Sequence, residues 1–291
     1  MRRIQDSGFS ARGRYNGRRV MNSIGIRQGR LSHAGTGPIQ RFPWRSWKDE
    51  FAHARRCGFD SVEWLFAADD YERNPIWTDD GREDILTQIA DTGIRVDSVC
   101  ADYFMAHPFF RVPEEARRQS VAVLNRLVVL GARVGIRIVV VPVLEASEVR
   151  TAAEIDQLLD ALTEPLALAA TYGMTLGVET ELPGREYLAL VEQCPHPALG
   201  VCYDTGNAAA KGYDVADDVR ALAPHLCEVH VKDRTRGGPS VRLGQGDADF
   251  GAFFRASAEV GYQGPLIVEA PVDEEPIAAA LADLAFLKQP Q

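Results

Sequence analysis

The 291-residue sequence lacks the features that mark several large protein classes. No uninterrupted apolar run approaches the ~18 residues that a membrane-spanning helix needs, so we expect no membrane partner. The five cysteines are odd in number and show no Cys-x-x-Cys spacing, which argues against structural disulfides. No Gly-x-Gly-x-x-Gly follows the first predicted strand, which removes the simplest argument for a dinucleotide-binding fold. No linker rich in Pro, Gly or Ser divides the chain.

Basic residues are in the minority, with 32 Lys and Arg against 41 Asp and Glu and a formal net charge of -9. Proteins that bind nucleic acid normally carry a basic patch, so we expect no nucleic-acid partner. Residues 1–20 are the exception, since they hold six arginines and a single aspartate. No apolar segment follows these arginines, as a secretory signal would require. We therefore predict a flexible basic extension over residues 1–20 and a cytoplasmic protein.

From Met21 onward, short apolar segments alternate with longer amphipathic ones. Eight segments are predicted as strands, and the near-continuous apolar runs among them are typical of parallel strands buried on both faces. They are Ser23–Arg27, Ser61–Leu65, Arg95–Ala101, Arg137–Pro142, Met174–Thr180, Leu199–Asp204, Leu226–Lys232 and Pro265–Ala270. Helical stripes lie between them, for example Trp47, Phe51, Ala54 and Cys57. Eight β-then-α units in a chain of this length predict a single (β/α)8 TIM barrel over residues 21–291.

Four consecutive predicted strands carry ionisable residues at their carboxyl ends: Glu179, Asp204, His230 and Glu269. Singly, such a histidine is usually a hydrogen-bonded core residue and such a glutamate a salt-bridge partner. Together, at the mouth of a barrel, their burial is costly unless they are paired or bind a metal. Three carboxylates and one imidazole form an oxygen-rich set that suits Mn²⁺ or Mg²⁺, with Co²⁺ or Zn²⁺ as further possibilities.

The order and spacing of several segments resemble the sugar-phosphate isomerase/epimerase family of xylose-isomerase-like barrels over about residues 22 to 287. This group contains ketose 3-epimerases, L-ribulose-5-phosphate 3-epimerase and hydroxypyruvate isomerase. The segments are Gly25-Ile26-Arg27-Gln28-Gly29-Arg30-Leu31, Gly58-Phe59-Asp60-Ser61-Val62-Glu63, Val178-Glu179, Asp204-Thr205-Gly206-Asn207, His230-Val231-Lys232-Asp233-Arg234, Gly244-Gln245-Gly246-Asp247 and Val268-Glu269.

The resemblance implies that Glu179, Asp204, His230 and Glu269 bind one divalent metal ion. It also implies that Glu179 and Glu269 are acid/base groups on opposite faces of a metal-bound cis-enediolate. An arginine six residues after the histidine grips substrate oxygens in this family, and Arg236 has that offset. Relatives often form dimers, so a homodimer is possible.

One position departs from the family pattern. The free-ketose 3-epimerases have a histidine three residues after the strand-six aspartate, where this chain has Asn207. The Asp-x-Gly-Asn form is more like the phosphopentulose branch. A free ketohexose is therefore a less secure substrate than a sugar phosphate.

Further polar residues follow the strands and are candidates for substrate binding. Arg27 and Arg30 follow the first strand and suit a phosphate or carboxylate, or else form salt bridges with neighbouring loops. Glu63 either bonds a substrate hydroxyl or orients a basic partner. Lys232 either neutralises Glu179 or contacts substrate. The glycines of the loop at 244–247 offer backbone N–H groups for an anion or for loop closure.

These observations predict a divalent-metal-dependent isomerase that acts on a small sugar or sugar phosphate. A metal and two glutamates suffice to move a proton next to a carbonyl, which gives either a ketose or ketose-phosphate 3-epimerase or an aldose-ketose isomerase. The resemblance favours the 3-epimerase, but the residues alone do not choose between the two reactions. A dehydratase of the inosose type on the same metal site is the alternative. An endonuclease acting at abasic DNA sites is a remote one, because its zinc chemistry needs more histidines than this chain offers.

Overall fold

The computed structural model describes residues 22–32 and 41–289, and eight of its strands form a closed parallel barrel. Each barrel strand pairs with the next along the chain, and the last pairs with the first. A short antiparallel hairpin of two further strands, β8 and β9, lies outside the barrel. The strands are β1 (Ile24–Arg27), β2 (Ser61–Leu65), β3 (Ser98–Cys100), β4 (Ile138–Val143), β5 (Thr175–Thr180), β6 (Leu199–Asp204), β7 (Leu226–Val231), β8 (Asp233–Arg234), β9 (Ser240–Val241) and β10 (Leu266–Val268).

Helices surround the barrel and carry the chain from one strand to the next. They are α1 (Asp49–Cys57), α2 (Asp79–Thr92), α3 (Tyr103–Ala106), α4 (Glu114–Val134), α5 (Ala152–Thr171), α6 (Gly184–Glu192), α7 (Thr205–Lys211), α8 (Val215–Leu222), α9 (Phe250–Val260) and α10 (Pro276–Lys288). The predicted apolar stripe of α1 is buried at Phe51, Ala54 and Cys57. The chain turns from α1 to β2 at Gly58, whose φ of +90° is a conformation that side chains disfavour.

The (β/α)8 barrel predicted from the sequence is confirmed, and all eight predicted strands contribute to it. Two predicted strands, Arg95–Ala101 and Pro265–Ala270, were too long by three residues or more. The segment from Arg95 joins the barrel by a single bridge to Ser61 before β3 begins at Ser98. At the other end, β10 ends at Val268, although the Glu269 N–H still donates to the Val231 carbonyl at 3.0 Å. The predicted extension at residues 1–20 lies outside the described residues.

The amino-terminal half of the barrel interior is tightly filled. Gly177 of β5 and Gly200 of β6 face Cys227 of β7, and a Cβ atom at either glycine would lie 2.8 Å from the Cys227 Sγ atom. Larger residues there would force the strands apart. Space for a ligand is therefore expected at the carboxyl end of the strands, as in other TIM barrels.

Within the described residues, no helix is long and apolar enough to cross a membrane. The cytoplasmic location stays a prediction from the sequence.

Candidate metal centre

The structure brings the four predicted metal ligands together at the carboxyl ends of neighbouring strands. Glu179 lies in β5, Asp204 ends β6, His230 lies in β7 and Glu269 follows β10. Asp204 and His230 are direct partners in the parallel register of β6 and β7. All four are almost fully buried, with exposures between 0% and 3%. Such burial of three acidic groups requires compensating partners.

Three atoms of this cluster have no hydrogen-bond partner among the described residues: Asp204 Oδ2, His230 Nδ1 and Glu269 Oε2. One ligand atom from each of the three residues lies within 4.8 Å of the others. The His230 Nδ1 atom is 3.3 Å from Glu269 Oε2 and 3.6 Å from Glu179 Oε1. Buried polar atoms normally have hydrogen-bond partners, so three converging atoms without one fit a divalent cation.

The local sequence around Asp204 explains why one of its oxygens is left for a ligand. Its Oδ1 atom accepts the N–H groups of Gly206 and Asn207, at 2.7 and 2.9 Å, and so caps α7. The second oxygen, Oδ2, is left to face the cluster. Gly206 is required for close approach, because a Cβ atom there would lie 2.8 Å from Lys232 Cγ.

Basic side chains surround the cluster and partly neutralise it. Lys232 Nζ lies 3.0 Å from Glu269 Oε1 and 3.6 Å from Asp204 Oδ2. Arg27 Nη2 lies 2.5 Å from Asp102 Oδ2, and Arg27 Nη1 lies 2.8 Å from Glu269 Oε2. The second contact is an ion pair whose geometry is not that of a hydrogen bond. Arg30 is 3.9 Å from Glu269. Three of the predicted substrate-binding residues are thus salt-bridge partners of the ligand carboxylates.

Burial and the neighbouring cations Lys232 and Arg27 shift the pKa values of Asp204 and Glu269. Burial raises the pKa of Asp204 to about 6, against the opposing effect of Lys232. Burial would also raise the pKa of Glu269, but Arg27 and Lys232 outweigh it and hold that pKa well below its ordinary value. Glu269 is therefore a carboxylate at neutral pH, available to a cation or to a proton.

Asn207 extends the cluster toward a basic residue that the sequence reasoning missed. The Asn207 Nδ2 atom is 3.5 Å from Glu179 Oε1, and its Oδ1 atom accepts from Arg234 Nη1 at 2.9 Å. Arg234 is half-buried and also donates to the Gly238 carbonyl. The glycines at 237 and 238 were the available signal, because they predict a turn that folds Arg234 back over the barrel mouth.

Arg236, the arginine that the family offset predicts, is not among the residues that the structure brings to the cluster. It is exposed, and its backbone N–H donates to Asp247 at 2.7 Å. Its guanidinium lies against Gly212, where a Cβ atom would be 2.5 Å from Nη2. Its role in substrate binding stays a prediction.

Glu63 lies in the barrel interior, behind the histidine. Its Oε1 atom is 3.1 Å from His230 Nε2, and Glu228 Oε1 is 3.6 Å from the same nitrogen. Burial raises the pKa of Glu228 to about 8, and the neighbouring Glu63 adds to the rise. Glu228 was missed, although its position two residues before His230 in β7 places both side chains on one face of the strand.

The glycine loop at 244–247 does bind an anion, but the anion is the protein's own Asp233. The N–H groups of Gly244, Gly246 and Ala248 donate to the Asp233 carboxylate at 2.8, 2.9 and 3.1 Å. Asp233 is fully buried. These backbone donors are therefore already used by an internal carboxylate.

Comparison with curated proteins finds L-ribulose-5-phosphate 3-epimerase from Salmonella typhi. It is 26% identical over 231 residues, which cover 77% of this chain and 81% of the relative. The matching protein from Escherichia coli (strain SMS-3-5 / SECEC) has the same identity and coverage. Both relatives are named epimerases, and epimerases are isomerases. The predicted enzyme class, isomerase, is therefore confirmed.

Solved structures share the fold. An apo 3-keto-D-glucoside 4-epimerase from Escherichia coli matches with a TM-score of 0.71 at 19% identity, over 92% of this chain and 99% of that chain. The resemblance seen in the sequence motifs is confirmed by the family model described as a xylose isomerase-like TIM barrel, which matches residues 51–289. This chain belongs to the xylose isomerase-like TIM-barrel family.

Proposed function

We propose that the protein is a divalent-metal-dependent epimerase that acts on a ketose or ketose phosphate at carbon 3. The observation that carries the proposal is the convergence of three buried atoms that have no hydrogen-bond partner among the described residues, Asp204 Oδ2, His230 Nδ1 and Glu269 Oε2, beside Glu179. The names of the curated relatives support the sugar 3-epimerase reaction. They do not favour the dehydratase or the endonuclease.

Glu179, Asp204, His230 and Glu269 would hold the metal ion. Their donor set of three carboxylates and one imidazole favours Mn²⁺ or Mg²⁺ over ions that prefer sulfur. When bound, such an ion polarises a carbonyl and stabilises negative charge that develops next to it, a contribution of several kcal/mol.

Two glutamates supply the proton transfers. Epimerisation removes a proton from one face of the carbon next to the carbonyl and returns a proton to the other face. Glu179 and Glu269 belong to β5 and the end of β10, and β6 and β7 separate these strands in the barrel. Their carboxyl groups therefore approach the centre from two sides, as the reaction through a cis-enediolate requires.

The remaining side chains would bind the substrate. Lys232 and Arg27 lie within 3.0 Å of Glu269 and place positive charge where an oxyanion would form. Arg234 and Asn207 are joined by a hydrogen bond next to Glu179 and suit the hydroxyl or phosphate groups of a sugar. Arg30 adds a third cation on the Glu269 side.

Proton exchange in D₂O tests this function. Mn²⁺-loaded protein is incubated with ketopentose phosphates, free ketoses and inososes, and the products are followed by NMR. We expect deuterium at carbon 3 of at least one ketose, together with its 3-epimer. The Glu179→Gln variant should lose this exchange, whereas Glu186→Gln, an exposed residue of α6, should keep it. Bound metal without exchange on any ketose would contradict the proposal, and water loss from an inosose would replace it with the dehydratase.

A further inference from the structure

The two ring nitrogens of His230 face different groups. Nδ1 faces the carboxylates of Glu179 and Glu269, at 3.6 and 3.3 Å, and has no hydrogen-bond partner in the described part of the chain. Nε2 faces the interior and lies 3.1 Å from Glu63 Oε1. The ring is fully buried.

Glu63 is closed off from the barrel mouth. Both Glu63 and His230 have exposures of 0%, as does Glu228, whose Oε1 atom lies 3.6 Å from the same Nε2 atom. Cys100 completes the surroundings, since its sulfur lies within 4.8 Å of the facing atoms of Glu63 and His230. The carboxylate is therefore poorly placed for substrate and well placed for the imidazole.

We propose that Glu63 is a positioning residue, which accepts the Nε2 proton of His230 and thereby commits Nδ1 to the metal ion. This inference rests on the metal centre proposed above, and it replaces the substrate-binding role expected for Glu63 from the sequence.

Glu63 would fix both the tautomer and the orientation of the His230 ring. A neutral imidazole has one donor and one acceptor nitrogen, and only the acceptor can bind a metal. A carboxylate that accepts the Nε2 proton leaves the Nδ1 lone pair free and prevents rotation about the Cβ–Cγ bond. Loss of such a partner typically costs 10- to 100-fold in metal affinity.

The first test is calorimetric titration of metal-free protein with Mn²⁺. We expect Glu63→Leu to weaken Mn²⁺ binding about 10- to 100-fold. Glu63→Gln should weaken it less, because its amide oxygen still accepts the Nε2 proton. Asp283→Leu is the control: it removes a buried carboxylate that pairs with Arg242 at 2.9 Å, away from the centre, and should lower the melting temperature without changing Mn²⁺ affinity.

The second test reads the tautomer directly and needs no destabilising variant. Nitrogen-15 NMR of Zn²⁺-loaded wild-type protein should show a metal-bound Nδ1 and a protonated Nε2 for His230. The signal is assigned as the one of six histidines that is lost in His230→Gln. Metal at Nε2, or unchanged Mn²⁺ affinity in folded Glu63→Leu, would overturn the inference.

Stoichiometry separates the inference from the function on which it rests. If wild-type protein binds no Mn²⁺, the proposed metal centre itself fails. If it binds two ions and Glu63→Leu binds one, Glu63 is a ligand of a second ion, and the positioning role is overturned while the first centre stands.

Discussion

Two buried aspartates on the same side of the barrel differ in how their oxygens are satisfied. Asp233 accepts three backbone N–H groups from the loop of Gly244, Gly246 and Ala248. Asp204 also accepts two backbone N–H groups, but only through Oδ1; among the described residues its Oδ2 atom has no hydrogen bond and only a 3.6 Å ion pair with Lys232. Because burial of a carboxylate oxygen without a hydrogen bond is costly, the fold alone explains the first aspartate, whereas the second suits the proposed metal ion.

The largest expected effect is the loss of metal from a ligand variant. His230→Ala removes the nitrogen at the centre of the cluster and should reduce bound Mn²⁺ from one ion per chain to nearly none in elemental analysis. Asp233→Asn should leave the ion bound, because Asp233 is already satisfied by the protein. Retention of the full stoichiometry by His230→Ala would remove this residue from the centre.

The next effect contrasts the two aspartates in stability, measured by urea unfolding of metal-free protein. Asp233→Asn places an amide donor against backbone donors and should lower the free energy of unfolding by about 3 kcal/mol. Asp204→Asn keeps the cap of α7 and removes a buried charge whose ion pair with Lys232 is long, at 3.6 Å. Lys232 keeps its closer partner Glu269, so the substitution should cost less than about 1 kcal/mol. Equal losses in both variants would contradict the distinction.

A third buried carboxylate, Glu50, extends the comparison of the two aspartates to the pH dependence of stability. It accepts the N–H of Gly29 and the hydroxyl of Ser32, yet burial raises its pKa from 4.5 to about 7. A carboxyl with a raised folded pKa stabilises the fold fully below its unfolded pKa, and this contribution is lost as pH rises through the folded value. Wild-type protein should therefore lose up to about 3 kcal/mol between about pH 4.5 and 7, at about 1.4 kcal/mol per pKa unit.

The variant Glu50→Gln isolates this contribution, since glutamine imitates the protonated acid. The difference in unfolding free energy between wild type and Glu50→Gln should change over the same pH window. A constant difference across that window would show that the pKa of Glu50 is not raised.

The smallest expected effect compares Arg234, which the structure places beside Asn207, with Arg236, which the family offset predicts. If a sugar phosphate is the substrate, Arg234→Ala should raise KM roughly tenfold, because a hydrogen bond to a charged group contributes about 1.5–3 kcal/mol. Arg236→Ala should change KM less than about twofold. If steady-state kinetics instead showed a larger rise in KM for Arg236→Ala than for Arg234→Ala, Arg236 would be the substrate-binding arginine, as the family offset predicts.

The fold and the convergence of the four candidate ligands were predictable because they follow from local pattern. Apolar runs such as Ile138–Val143 define parallel strands, and in a TIM barrel any polar residue at the strand ends meets at one mouth. This rule was sufficient to find Glu179, Asp204, His230 and Glu269 without knowledge of their contacts.

The surroundings of the ligands were less predictable because they depend on distant contacts. Lys232 is two residues after His230 in the sequence. Its position between Asp204 and Glu269, however, depends on how three different strands pack together. Arg234 was missed because the β8–β9 hairpin, which no long apolar pattern marks, sets its direction. Glu228 was missed because a charged residue inside a strand was not weighed as part of the site.

Anomalous diffraction from a crystal of the protein loaded with Mn²⁺ tests the central claim most directly. The account predicts one manganese peak at the carboxyl end of the barrel, bonded to Asp204 Oδ2, His230 Nδ1, Glu269 Oε2 and Glu179. It predicts no ion at Asp233. A site without manganese at saturating concentration, or an ion held by other residues, would contradict the account.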